Sequence, residues 1–187
     1  GIAMSELATL LDGQMVSHKA DEEDEIFLNE EGEDRVVALR QFVRLGPDSA
    51  VVLLRAQLAI GTAANFERSN AHAESGLVDL VYLKWIDNKW TVSKQLSSEL
   101  GLGSHGEFGQ VDVLTLRPDL QALLIHNGGV WQGYSIDHGD VVPLDQSTPH
   151  VIAHLTLASS NDGACAPEAD CWDAGSTVTL KPSSKKG

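Results

Sequence analysis

A chain of 187 residues, 42% hydrophobic and with a mean hydropathy of −0.10, holds enough apolar material for one domain with a real core or two small ones. Its formal charge of −14 and pI near 4.7 argue against a nucleic-acid backbone or an anionic membrane surface as partner, since both repel such a surface. No run approaches the roughly 18 apolar residues of a membrane span, and no basic, apolar and small-residue signal pattern is present.

Gly1-Ile2-Ala3-Met4 reads as a cloning remnant ahead of Ser5, in which case any targeting or anchoring segment has been removed. A native start at Met4 would instead make the protein cytoplasmic. Ser5–Gly13 follows as a helix: Ser5 suits the N-cap, Leu7, Leu10 and Leu11 share a face, and Gly13 suits the left-handed terminus. Nine of the 27 acids then fall between Asp21 and Asp34. Like charges this dense resist compaction, so the stretch reads as a mobile acidic loop, and it lacks the spacing of a calcium-binding loop.

Two apolar runs flank the turn Gly46-Pro47-Asp48-Ser49 and predict a hairpin, with strands over about Leu39–Leu45 and Ala50–Ile60. Gly61–Gly76 is small and polar and reads as a loop. Leu77–Ile86 and Lys89–Gln95 flank Asp87-Asn88, predicting a second hairpin with Trp85 and Trp90 near its turn. The segment LKWIDNKWTV, within Leu77 to Lys94, resembles the curved sheet of small domains of the nuclear-transport-factor-2-like type. The likeness carries no functional motif.

Ser97–Gln110 holds four of the seventeen glycines and reads as a linker between residues 1–96 and 111–187. Val111–Leu144 predicts a meander of four strands, with turns at Arg117-Pro118-Asp119, Asn127-Gly128-Gly129 and Asp137-His138-Gly139. His150–Ala158 reads as a further strand, placing Val151, Ala153, Leu155 and Leu157 opposite His150, Ile152, His154 and Thr156. Ser176–Leu180 closes the chain as a short strand ahead of a basic tail. The fold class expected is α+β, mostly antiparallel β, with an N-terminal helix and curved hairpins followed by a C-terminal β-meander.

Cys165 and Cys171 share a loop rich in turn formers and acids, and are expected to close a disulfide, which implies an oxidising compartment. Tight metal-ligand spacing is missing, so no metal is expected. Gly101-x-Gly103-x-x-Gly106 matches a dinucleotide fingerprint by letter but precedes a strand rather than a helix. His105-x-Glu107 lacks the paired cysteines of a zinc deaminase. On a strand, His150 and His154 stand about 13 Å apart, too far for one ion. His138 and Asp140 form a potential acid–base pair within a turn, whereas His126 and Asp137 are expected at opposite ends of the sheet.

These absences leave no catalytic constellation and no cofactor. The function expected is a non-enzymatic extracytoplasmic module, periplasmic or secreted, that binds a protein or cell-envelope partner through loops. Trp131, Tyr134, His138 and Trp172 are its candidate rim. The alternative is a small-ligand-binding or enzymatic domain, cytosolic or periplasmic, with a cavity in the N-terminal sheet lined by Arg55, Gln57, Asp79 or Tyr82.

Overall fold

The structure is a computed structural model and describes residues 1–16, 24–30, 33–68, 74–165 and 170–181. The protein is mostly antiparallel β with one short N-terminal helix, and the chain divides into two compact units. The first comprises Gly1–Phe108 with Gln146–Pro149, the second Gly109–Asp145 with His150–Gly187.

In the first unit, helix α1 (Met4–Leu10) precedes β1 (Gln14–Val16), β2 (Glu25–Glu30), β3 (Glu33–Gly46) and β4 (Ser49–Thr62). Strands β5 (Asn65–Arg68), β6 (Gly76–Ile86), β7 (Lys89–Leu96) and β8 (Gly101–Leu102) follow. The sheet order is β1-β2-β3-β4-β6-β7, with β5 added to β4 and β8 to β6. Strand β4 reads as a continuous apolar run because both its faces are covered. Ala50, Val52, Leu54 and Ala56 pack in one core with Leu7 of α1, Val37 of β3 and Val81 of β6. Side chains alternate between faces along a strand, so Val51, Leu53, Arg55 and Gln57 point the other way and are buried too.

The helix begins two residues earlier than its capping residues suggest. Ala3 is the N-cap and makes no side-chain hydrogen bond, and Asp12, with φ of 53°, takes the left-handed position assigned to Gly13. Burying Leu7, which is 0% exposed, outweighs the missing cap. Leu7→Ala is expected to cost about 2–5 kcal/mol in urea unfolding, from lost transfer energy and the residual cavity.

The acidic stretch is not a loop over the residues described. Asp24 leads into β2, and Glu33 and Asp34 open β3; Asp21, Glu22 and Glu23 lie outside the described residues. Asp87 and Asn88, with φ of 50° and 59°, form a two-residue turn. Beside it Trp85 pairs with Trp90, their ring centroids 5.0 Å apart and edge to face. Residues 97–108, read as linker, belong to the first unit: β8 pairs with β6, and Leu102 and Phe108 are buried.

The second unit contains β9 (Val111–Arg117), β10 (Leu120–Trp131), β11 (Tyr134–Pro143), β12 (Ala153–Ser160) and β13 (Asp173–Gly175), in the order β13-β12-β11-β10-β9. Residues 111–144 therefore hold three strands rather than four. Asn127-Gly128 and Asp137-His138-Gly139 lie inside one long ladder, which runs from Ala122↔Pro143 to Trp131↔Tyr134. The turn is Gln132-Gly133, with φ of 49° and 84°. A Cβ on Gly133 would also meet the backbone of Gly163 at 2.2 Å, so Gly133→Ala is expected to cost about 1–3 kcal/mol and loosen the hairpin tip in amide exchange. The expected strand Ser176–Leu180 is replaced by β13, which ends at Gly175.

Candidate functional site

The side chains proposed to line an N-terminal cavity are instead held in buried polar contacts. Glu25 of β2 and Arg55 of β4 are both 2% exposed and pair at 3.0 Å. Arg68 of β5 reaches the second Glu25 oxygen at 2.7 Å. Arg55 also donates to Gln57 Oε1 at 2.8 Å and pairs with Glu107 at 3.0 Å. On the opposite face Asp79 of β6 accepts from Arg35 at 3.3 Å and from the Ser98 backbone amide at 2.9 Å. The Tyr82 hydroxyl accepts from the Gln146 backbone amide at 3.1 Å. These contacts tie β2, β4, β5 and the 98–108 segment together.

The letters of the dinucleotide fingerprint form part of this frame. Gly101 lies in β8, and residues 103–107 make a tight turn that brings Glu107 onto Arg55. His105 occupies that turn with φ of 55°.

In the second unit, backbone register assembles most of the aromatic group. Ser160 of β12 pairs with Ser135 of β11 and with Asp173 of β13. One step further along each strand, Tyr134, Asn161 and Trp172 stand side by side at the end of the sheet. Trp131 pairs with Tyr134 across the hairpin. Tyr134 and Trp172 are 49% and 44% exposed, and exposed Ile136 follows Tyr134 on the same face. His138 does not join them: it sits four residues along β11, paired with Asn127 and Thr156.

Asn161 fixes this end of the sheet. Its Oδ1 accepts from the Trp172 amide at 2.7 Å, its Nδ2 donates to Asp170 O at 2.9 Å, and its own amide donates to Trp172 O at 3.1 Å. Cys165 and Cys171 form a disulfide with Cα atoms 5.5 Å apart, closing the loop that Asn161 anchors. Reducing it is expected to cost the second unit about 2 kcal/mol on the loop-entropy estimate, read as a lower urea midpoint. On the sheet face opposite Tyr134, a shallow hollow of about 260 Å³ is lined by Gly128, Val130, Ser135, Asp137, Ala158 and Asp173.

Two polar triplets lie further along the same sheet. His126 is flanked by Asp112, 3.0 Å from Nε2, and Asp137, 3.4 Å from Nδ1. The expected separation of His126 from Asp137 is thus corrected: with the turn at Gln132-Gly133, Asp137 pairs with Gly128, beside His126. On the other face, buried Asp140 bonds both Asn127 and His154, so His154 takes the place expected of His138. His154 Nδ1 faces the carboxylate, and its side chain is 76% exposed. Asp140→Ala is expected to destabilise the second unit by about 1–3 kcal/mol, since it strips the half-buried Asn127 amide of its acceptor. Among the described residues no group of three His, Cys, Asp or Glu side chains is arranged to hold a metal ion.

Sequence reading missed the Arg55 network and both triplets. The available signal was a single charge inside an apolar run, as in VVLLRAQLAI and LVDLVYL, which flags a buried and therefore paired ion. Among the described residues no helix is long and apolar enough to cross a membrane. Comparison with protein-family models, curated proteins and solved structures finds no match for this chain.

Proposed function

We propose that the chain is a non-enzymatic extracytoplasmic module that binds a protein or cell-envelope partner through the Tyr134–Trp172 end of its second unit. The observation that carries this reading is the row of backbone positions Trp131, Tyr134, Asn161 and Trp172, in which Tyr134 and Trp172 are exposed beside a disulfide-closed loop. Aromatic side chains lose little conformational freedom on binding, and they present apolar faces with polar tips. Exposed Asp170 and Asp173 add acceptors suited to hydroxyl or amide donors. A loop disulfide fits an oxidising compartment.

The test is co-sedimentation of the purified protein with isolated cell-envelope fragments. Unaltered protein is expected to pellet saturably, and the Tyr134→Ala/Trp172→Ala double variant to bind at least about tenfold more weakly, as loss of two anchor residues predicts. Equal pelleting of the two, with the variant still folded, would reject this end of the sheet as the binding surface.

A further inference from the structure

On one edge of β4 the ladder to β6 ends at Ala56↔Leu77, and the ladder to β5 begins at Ala59↔Arg68. Neither strand pairs with Gln57 or Leu58. A cleft of about 320 Å³ lies there, lined by Gln57, Leu58, Glu74, Ser75, Leu77 and Glu99. That is near the lower end of the range for small-molecule pockets.

Two polar atoms in the lining lack a hydrogen-bond partner among the described residues. Glu74 Oε2 is buried and makes no hydrogen bond among the described residues, a state that burial penalises unless a donor arrives. Gln57 is only 5% exposed, and its Oε1 accepts from Arg55 Nη1 at 2.8 Å. That bond fixes which end of the amide is oxygen, and its nitrogen is left with no hydrogen bond among the described residues. One unmet acceptor and one unmet donor therefore share the lining, with Glu99 as a second carboxylate and Leu58 and Leu77 as apolar wall.

We propose that this cleft binds a small protonated primary amine bearing hydroxyl groups, the class of amino sugars and amino alcohols. The ammonium donates to Glu74 Oε2, and Glu99 adds to the negative potential that holds it. The Gln57 amide nitrogen donates to a ligand hydroxyl. Leu58 and Leu77 cover the carbon skeleton. The chain's charge of −14 favours approach of a cation. This site belongs to the first unit and is independent of the aromatic rim.

The test is an NMR titration of the full chain with glucosamine, set against N-acetylglucosamine, which keeps the ring and removes the charge. Glucosamine is expected to give saturable shifts at the Gln57 side-chain amide and at the Ser75 and Gly101 backbone amides. N-acetylglucosamine is expected to bind at least about tenfold more weakly. Glu74→Gln is expected to weaken glucosamine by a similar factor while leaving distant resonances in place. No saturable shifts, equal affinity for the two sugars, or unchanged affinity in a folded Glu74→Gln variant would each overturn the proposal. If Glu74→Gln fails to fold, the comparison of the two sugars on the unaltered chain still decides it.

Discussion

Replacing Arg55 with alanine is expected to lower the stability of the first unit by about 3–5 kcal/mol, as breaking a buried ion pair from one side does. The guanidinium contacts Glu25, Gln57 and Glu107, which come from three separate segments. Without it Glu25, 2% exposed, loses one of its guanidinium partners, and buried Gln57 Oε1 loses its donor. Glu107 is 49% exposed and returns to water at little cost, so Glu107→Gln is expected to cost less than about 1 kcal/mol. Arg55→Lys is expected to fall between them, because an ammonium keeps the charge but not the planar fork that reaches several acceptors. Urea unfolding of the three variants, with amide exchange in β4 to assign the loss to the first unit, checks the order.

The second large effect is expected at Leu124. This residue is 5% exposed on β10 and packs with Ala122 and Val141, against Leu114, Leu116 and Leu155. A Cβ built on Gly139 of β11 would stand 2.5 Å from Leu124 Cδ1 and 3.0 Å from Leu157 Cδ1. Leucine therefore fills the space that glycine leaves. Leu124→Ala is expected to cost about 2–5 kcal/mol through the cavity it opens. Gly139→Ala is expected to cost about 1–3 kcal/mol through overpacking. Because each change relieves the other, the double variant is expected to lose less than the two costs added together, a coupling that a double-mutant cycle measures directly. Simple additivity would mean that the two side chains do not compete for that volume.

Gly139 also shows why part of the second unit was misread. Glycine serves a tight turn, and it serves equally where a neighbouring chain leaves no room for a side chain. In Asn127-Gly128 the second use applies: a Cβ at Gly128 would stand 2.3 Å from the carbonyl oxygen of Ile136 on the paired strand. Nothing local separates the two uses, since the difference lies in a residue eight positions away. Gln132-Gly133 makes the turn instead, and moving it by five residues brings Asp137 beside His126. The Asp87-Asn88 turn was readable because both residues tolerate positive φ and a strand-forming run with a tryptophan near the turn lies on each side.

Charge misled in a different way. Density alone made Glu25 part of a solvated loop, but β2 turns it inward, and Arg55 and Arg68, distant in sequence, neutralise it. Pairing of that kind is set by strand order, which composition does not encode. The Cys165–Cys171 pair was readable because its loop is short and closes on itself. The Asn161 clamp that presents Trp172 was not, since it depends on β12 and β13 lying side by side.

The oxidised loop is the part of the account that bears most directly on where the protein works. The measurement is intact mass of the protein from its native host, alkylated under denaturing conditions without reductant and again after reduction. The account predicts no alkyl adduct before reduction and two after it, at Cys165 and Cys171. Two adducts without reductant would mean that the loop is open in the cell, contradicting an extracytoplasmic module with a braced binding rim.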